Sequence, residues 1–266
     1  MPPDLLVTVR NARFQQWQAL LSNRTKRHRM GEFVVQGVRP ITMAIQHGWS
    51  VRALLYDADR RPSRWAVDLL DTAGGEHIAL APELLAELSE KDEPAAELVA
   101  VVATRPDDLA RIPLSDAPLV VVLDRPSSPG NIGTVVRSAD AFGAAGVLVA
   151  GHAADIYDPK AVRASTGSLF ALPVVRLASP DAALGWARSA GLAVVGTDES
   201  GDVDIAEHDL TVPTLLLVGN ETGGLSAAWR DACDRIVRIP IGGAASSLNA
   251  ATATGIALYE AARQRR

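Results

Sequence analysis

Cysteine, histidine and aromatic side chains are all scarce in this chain. Its one cysteine, Cys233, cannot form an internal disulfide, and in the helical segment 229–235 it reads as an ordinary helix-face thiol. The five histidines, His28, His47, His77, His152 and His208, are scattered without the spacing of metal ligands, so no metal site is expected. No apolar run approaches the roughly 20 residues that span a bilayer. The start, Met1-Pro2-Pro3-Asp4, has no basic flank leading into an apolar block, so a cytoplasmic protein free of the membrane is expected. A dinucleotide fingerprint is missing too. Where Gly-x-Gly-x-x-Gly would follow a strand, the chain reads Asp124-Arg125-Pro126-Ser127-Ser128-Pro129-Gly130, which argues against a nucleotide-binding oxidoreductase.

What is present is a chain of 266 residues, 48% hydrophobic and 21% charged, the composition of a globular α/β protein with room for two domains. The formal net charge of −5 hides an uneven distribution. Arg10, Arg13, Arg24, Lys26, Arg27, Arg29 and Arg39 cluster near the start, opposed there only by Glu32. On charge alone, RNA phosphate contacts and a solvated basic helix face stand level. Phe14 and Trp17 could stack on bases, but their helical spacing points to the core.

Periodicity predicts a helix over 11–23, a basic loop, a strand at Phe33–Val35 and a helix over 38–47. Strands at 51–56, 77–80 and 98–103 alternate with helices at 63–73 and 82–88, making a compact α/β unit. Residues 104–118 are polar and proline-punctuated, as domain connectors often are. Short apolar strands follow at 119–123, 146–150, 173–176, 192–196, 214–218 and 236–240, with helices at 131–142, 159–168, 180–190, 226–233 and 247–263. This alternation implies a mostly parallel sheet covered on both faces. In the helix over 131–142, Ile132, Val135, Val136, Ala139 and Phe142 form the buried stripe and leave Arg137 off it.

Such sheets bind ligands beyond the carboxyl ends of their strands, where glycine admits backbone and helix N-termini offer N–H groups. Three strand-to-loop junctions sit there. The first is Asn131-Ile132-Gly133-Thr134-Val135-Val136-Arg137-Ser138-Ala139, followed by Phe142-Gly143-Ala144. The second is Leu217-Val218-Gly219-Asn220-Glu221-Thr222-Gly223-Gly224-Leu225, and the third runs from Ile239 to Glu260 around Ser247-Leu248-Asn249. Together and in this order they resemble the SpoU/TrmH (SPOUT) family of RNA ribose 2′-O-methyltransferases. Lys160–Ser168 resembles a further family segment, and Asn23–Pro40 is similar to its amino-terminal RNA-binding extension, with a ribosomal-protein-like (L30e-like) fold.

The resemblance implies an RNA substrate-binding domain over 1–104, a linker over 105–117 and an α/β trefoil-knot methyltransferase domain with a parallel sheet over 118–266. It implies S-adenosyl-L-methionine as methyl donor, a homodimer, and structured RNA as substrate, ribosomal before transfer RNA. A catalytically silent RNA-binding protein of the same fold is the alternative. The implied catalytic residues are Asn131, Arg137, Glu221, Ser247 and Asn249. Cofactor contacts fall to Thr197, Asp198, Leu217, Gly219, Asn220, Glu221, Gly224, Ile239, Ile241, Ser247 and Leu248. RNA contacts fall to Arg24, Lys26, Arg27, Arg29, Arg163 and Ser165. Arg137 has too high a pKa to be a good base and is expected to organise the target phosphate. Asn131 is expected to cap its helix, and Glu221 to bind Arg137, hold the third junction or accept a proton. Ser246 stands where the family often has an acidic residue, and Gln36 where a glutamate is usual. Both bear on substrate identity rather than on the reaction.

Overall fold

A computed structural model describes residues 4–89 and 96–266; the start on which the expectation of no leader rests lies partly outside them, at residues 1–3. The chain divides into two compact units, one of Met1–Arg105 with Tyr157–Ala171, the other of Pro106–Ile156 with Leu172–Arg266.

The first unit runs β1 (Leu5–Val7), α1 (Ala12–Ser22), α2 (Arg24–Met30), β2 (Glu32–Gln36), α3 (Val38–Gln46), β3 (Val51–Asp57), α4 (Arg64–Thr72), β4 (Glu76–Leu80), α5 (Pro82–Leu88) and β5 (Leu98–Ala103). Its sheet has the order β1-β4-β3-β5-β2, with β1, β4 and β3 parallel and β5 antiparallel to both of its neighbours. Phe14, Trp17 and Leu20 of α1 pack onto Val34, Leu55, Ile78 and Val101. The two rings are core residues and offer no face to a base.

The expected basic loop is instead the helix α2. Asn23 caps it by accepting from the Lys26 N–H at 3.0 Å, and Gly31 ends it with φ of 63°. Arg27 is buried, which removes it from the RNA-contacting set. Its guanidinium donates to the carbonyls of Leu20 at 2.7 Å and Leu21 at 3.3 Å and pairs with Asp158 at 3.4 Å. It thereby satisfies carbonyls that the end of α1 leaves without helical partners.

The segment Tyr157–Ala171 belongs to this unit rather than to the second half that holds it in sequence. Phe33 packs against Tyr157 with ring centroids 4.6 Å apart and the planes tilted by 35°, and the Trp49 indole N–H donates to the Phe170 carbonyl at 2.9 Å. The helix expected over 159–168 breaks into α7 (Pro159–Ser165) and α8 (Ser168–Ala171). Thr166 and Gly167 between them take φ of 50° and 96°, and a side chain at Gly167 would meet Met43 Cγ at 2.9 Å.

The second unit contains β6 (Leu119–Asp124), α6 (Pro129–Ala141), β7 (Gly146–Ala150), β8 (Val174–Leu177), α9 (Pro180–Ser189), β9 (Ala193–Thr197), β10 (Val203–Asp204), β11 (Thr214–Val218), α10 (Ala227–Arg230), β12 (Arg235–Arg238) and α11 (Ala250–Gln264). Its seven-stranded sheet has the order β10-β12-β9-β11-β6-β7-β8, and every pairing is parallel. Central strands β6, β7 and β11 are buried along their whole length, as a sheet covered on both faces requires. After β8 the chain returns to the far side, laying β9 two places from β6 so that the later β11 slots between them. That reversal opens a crevice at the carboxyl ends of β9, β11 and β12.

Candidate active site

A cavity of about 530 Å³ occupies this crevice. Thr197, Asp198, Gly219, Asn220, Glu221, Gly224, Ile239, Ile241, Ser247 and Leu248 all line it. Leu217 does not. Fully buried in the sheet core with Leu215 and Trp229, it offers only its carbonyl, which accepts from the Thr197 hydroxyl at 2.9 Å. The cofactor role expected of its side chain is therefore withdrawn.

The second junction is a tight loop made rigid from within. Asn220 and Gly224 exchange N–H to carbonyl bonds of 3.0 Å in both directions, and Asn220 Oδ1 accepts from the N–H groups of Thr222 at 2.9 Å and Gly223 at 3.2 Å. A Cβ at Gly219 would lie 2.3 Å from the Gly224 carbonyl carbon, so the loop closes only with glycine there. By contrast, a Cβ at Gly242 or Gly243 of the third junction meets nothing within 4 Å. Contacts within the chain do not demand glycine at those two positions.

Beneath the loop lies a carboxylate that sequence reasoning missed. Asp124, at the end of β6, is buried, accepts from the Ser226 N–H at 2.7 Å and pairs with the Arg125 guanidinium at 3.1 Å. Arg125 takes φ of 50°, uncommon away from glycine, and donates to the Gly224 carbonyl at 3.2 Å. Its own carbonyl accepts from Asn220 Nδ2 at 2.7 Å. The first and second junctions are thus locked together through Asp124 and Arg125.

A chain of polar contacts then joins all three junctions. Glu221 accepts from the Ser127 N–H at 3.2 Å, the Ser127 hydroxyl at 2.9 Å and Asn131 Nδ2 at 2.9 Å. Asn131 Oδ1 in turn accepts from Asn249 Nδ2 at 3.4 Å. Asn249 caps α11, its Oδ1 accepting from the N–H groups of Ala251 at 2.9 Å and Thr252 at 3.3 Å. Asn131 is not the cap of α6. Ser128 takes that role, accepting from the Asn131 N–H at 3.3 Å, and leaves the Asn131 amide for the network. The Ser-Pro pair at Ser128-Pro129 was the readable signal for this helix start. Ser247 lies in the loop before α11, on the cavity wall.

Burial pushes the Glu221 carboxyl up, but the hydrogen bonds from Asn131 and Ser127 outweigh it and hold the group below the usual glutamate value. Asp198 behaves alike: burial raises it, while bonds from Ser200 and the ion pair with Arg230 bring it down. Both are anions at neutral pH. Arg137 stands exposed on α6, off the buried stripe.

Among the residues expected to meet RNA, Arg24, Arg29 and Arg163 are exposed and Lys26 is half-buried. Ser165 is buried, its hydroxyl donating to the Val162 carbonyl at 2.7 Å, and so leaves that set alongside Arg27. Glu199 of the β9 exit and Val218 of the second junction also line the cavity, as does Arg230, to which no pattern in the sequence pointed.

A parallel α/β sheet whose ligand cavity is walled by the β9 exit and the second and third junctions, with the first junction hydrogen-bonded to them, defines a class of enzyme rather than a passive scaffold. The profile of the SpoU rRNA methylase family matches residues 118–259, and that of the SpoU L30e-like domain matches residues 11–100. A 23S rRNA (uridine(2479)-2′-O)-methyltransferase of Streptomyces viridochromogenes is 61% identical over 269 residues, covering 99% of this chain and 94% of the relative. The crystal structure of the SpoU methyltransferase AviRb from the same organism, in complex with AdoMet, aligns with a TM-score of 0.92 at 61% identity over 96% of this chain and 98% of that one. An AdoMet-bound rRNA methyltransferase from Sinorhizobium meliloti aligns with a TM-score of 0.87 at 32% identity over 97% and 98% of the two chains. The chain belongs to the SpoU rRNA methylase family.

S-adenosylmethionine, the methyl donor of this class, fits the cavity. The volume falls within the roughly 300–1,000 Å³ usual for small-molecule sites. Val218, Ile239, Ile241 and Leu248 give an apolar wall for the adenosine, and the glycine loop 219–224 offers backbone groups to its polar edge. The charged lining, Asp198, Glu199 and Glu221 against Arg230, has an excess of carboxylates that suits a cationic sulfonium and ammonium.

Proposed function

We propose that this chain transfers a methyl group to the ribose 2′-hydroxyl of one nucleotide in ribosomal RNA, with 23S rRNA as the first substrate to test. The observation that carries this reading is the Asn249–Asn131–Glu221–Ser127 network, which brings the three family motifs together beside one cavity. Bound S-adenosylmethionine supplies an electrophilic methyl on its sulfonium. The residues of the chain must then present the 2′-hydroxyl in line with that methyl and give its proton a way out. Glu221 is a weak base for this purpose, because its hydrogen bonds favour the anion and would be lost on protonation. Its role is to hold Asn131. Arg137, always protonated, binds the phosphate beside the target ribose and favours the developing alkoxide, and the proton leaves to solvent.

The exposed apolar side chains Ile256 and Tyr259 of α11, with Phe142 packed edge-on to Tyr259 at 5.9 Å, form a face suited to a second copy, and the working unit in this reading is a homodimer. The closing segment 239–249 is read as the trefoil-knot loop of the family. Among the described residues no helix is long and apolar enough to cross a membrane, and the cytoplasm is where this enzyme would meet its RNA. Mass spectrometry of nuclease-digested 23S rRNA, incubated with the protein and labelled methyl donor, tests the reading. It predicts one 2′-O-methylated nucleotide; a catalytically silent binder would give cofactor and RNA binding without transfer.

A further inference from the structure

Arg125 stands where β6 hands over to α6, and contacts from three directions fix it there. Its φ of 50° lies in the left-handed region, where a side chain crowds the backbone. It also precedes Pro126, and the residue before a proline is normally extended. Its N–H donates to the Ala150 carbonyl at the end of β7 at 2.9 Å, and its carbonyl accepts from Asn220 Nδ2 at 2.7 Å. The stem of the side chain lies against Gly151, where a Cβ would meet Arg125 Cγ at 2.9 Å, so glycine at 151 makes room for it. A strained residue persists where its surroundings over-determine it, and such residues gather at functional sites.

The guanidinium grips the glycine loop 219–224 at its far end. Nε and Nη2 donate to the two oxygens of the buried Asp124 at 3.1 Å each, and Nη2 also reaches the Gly224 carbonyl at 3.2 Å. Asp124 in turn accepts from the Ser226 N–H at 2.7 Å. Two neighbouring residues thus hold the exit of the loop at Gly224 and Ser226, while the Arg125 carbonyl holds its start at Asn220. Two positions further on, Ser127 donates its N–H and hydroxyl to Glu221. The loop lines the cavity and Arg125 does not, so Arg125 can act on a bound cofactor only through the loop.

We propose that Arg125 is a positioning residue for methyl transfer, fixing the loop 219–224 in the shape that receives S-adenosylmethionine before the cofactor arrives. The planar fork suits this task. From one rigid group it neutralises a buried carboxylate and reaches a backbone carbonyl, whereas an ammonium in the same place neutralises the carboxylate without fixing the carbonyl. Binding to a preformed loop needs no ordering step, so Arg125 acts on cofactor affinity rather than on the chemical step. The inference rests on the reading of the chain as a methyltransferase that uses this cavity.

Two variants of the full chain separate this role from a merely structural one. Arg125→Lys keeps a cation beside Asp124, so its Tm should stay within about 3 °C of wild type. Arg125→Gly removes the fork and the strain together, and glycine accepts the left-handed turn. In both, the calorimetric Kd and the KM for S-adenosylmethionine should rise about tenfold, the effect of losing one charge-assisted hydrogen bond. At saturating cofactor kcat should stay within about threefold of wild type, because the bound cofactor orders the loop itself. Wild-type cofactor affinity in Arg125→Lys would overturn the proposal, and it decides alone if Arg125→Gly fails to fold. A fall in kcat with KM for the cofactor unchanged would also overturn it, since that marks a smaller folded fraction. If the wild-type chain binds S-adenosylmethionine but transfers no methyl, the parent reading fails, and the comparison of Kd values still decides the role of Arg125.

Discussion

Asn249 does two jobs that one pair of substitutions separates. Its Oδ1 caps α11 through two N–H groups, and its Nδ2 donates to Asn131 in the network that reaches Glu221. Replacement by alanine removes both. Loss of an N-cap costs about 1 kcal/mol, and a long, exposed amide contact adds a few tenths at most. At roughly 2–4 °C per kcal/mol for a chain of this size, Tm should fall by about 2–6 °C. Asn249→Asp keeps the cap, since aspartate is as good an N-cap and its charge favours the helix dipole, so Tm should stay within about 1–2 °C of wild type. The network does not survive that change. The new carboxylate can only accept, so either it faces Asn131 Oδ1, or the Asn131 amide turns and sets its oxygen against Glu221, where the Nδ2 contact is now 2.9 Å. A mismatch of this kind costs about 1–3 kcal/mol, or roughly 5- to 150-fold in kcat/KM if it is felt fully in the transition state. Thermal melts and single-turnover methyl transfer on the same preparations read both quantities. Wild-type transfer by Asn249→Asp would refute a catalytic role for the network and leave Asn249 a helix cap.

Arg137→Ala should abolish methyl transfer with S-adenosylmethionine affinity nearly intact, and Arg137→Lys should restore little, because a point charge does not reproduce the planar fork; calorimetry beside a turnover assay checks both. Gly219→Ala places a methyl 2.3 Å from the Gly224 backbone, so the loop must open; loss of cofactor binding with only a small change in Tm is the expected result. Glu221 has a folded pKa below the ordinary glutamate value, so its contribution to stability is present above that ordinary value and is lost as pH falls through the depressed one. Glu221→Gln should therefore flatten the acid limb of the Tm against pH curve. Leu217→Ala should behave as a core truncation, costing about 2–5 kcal/mol, and a folded variant with wild-type Tm but weakened cofactor binding would return that side chain to the cavity.

The features legible in the sequence were those written locally. A strand followed by glycine and a polar cap is encoded within about ten residues, and the cavity is lined by ten of the residues that the second and third junctions and the β9 exit pointed to. What escaped depends on partners distant in sequence. Arg27 looks like any other member of a basic run, and only Asp158, 131 positions away, and the end of α1 explain its burial. Leu217 lies in a strand buried on both faces, where alternation cannot say which side chains reach a cavity. The short strands β1 and β10, three and two residues long, carry too little pattern to be read. The transfer of Tyr157–Ala171 to the first unit rests on aromatic contacts between rings more than 100 positions apart, as in Phe33 with Tyr157.

The most direct test of the proposed function is where the methyl group goes. Purified protein, labelled S-adenosylmethionine and unmodified 23S rRNA, followed by nuclease digestion and mass spectrometry, should give label on a single ribose 2′-oxygen, absent with Arg137→Ala. Label on a base, or none on RNA that the protein demonstrably binds, would contradict it.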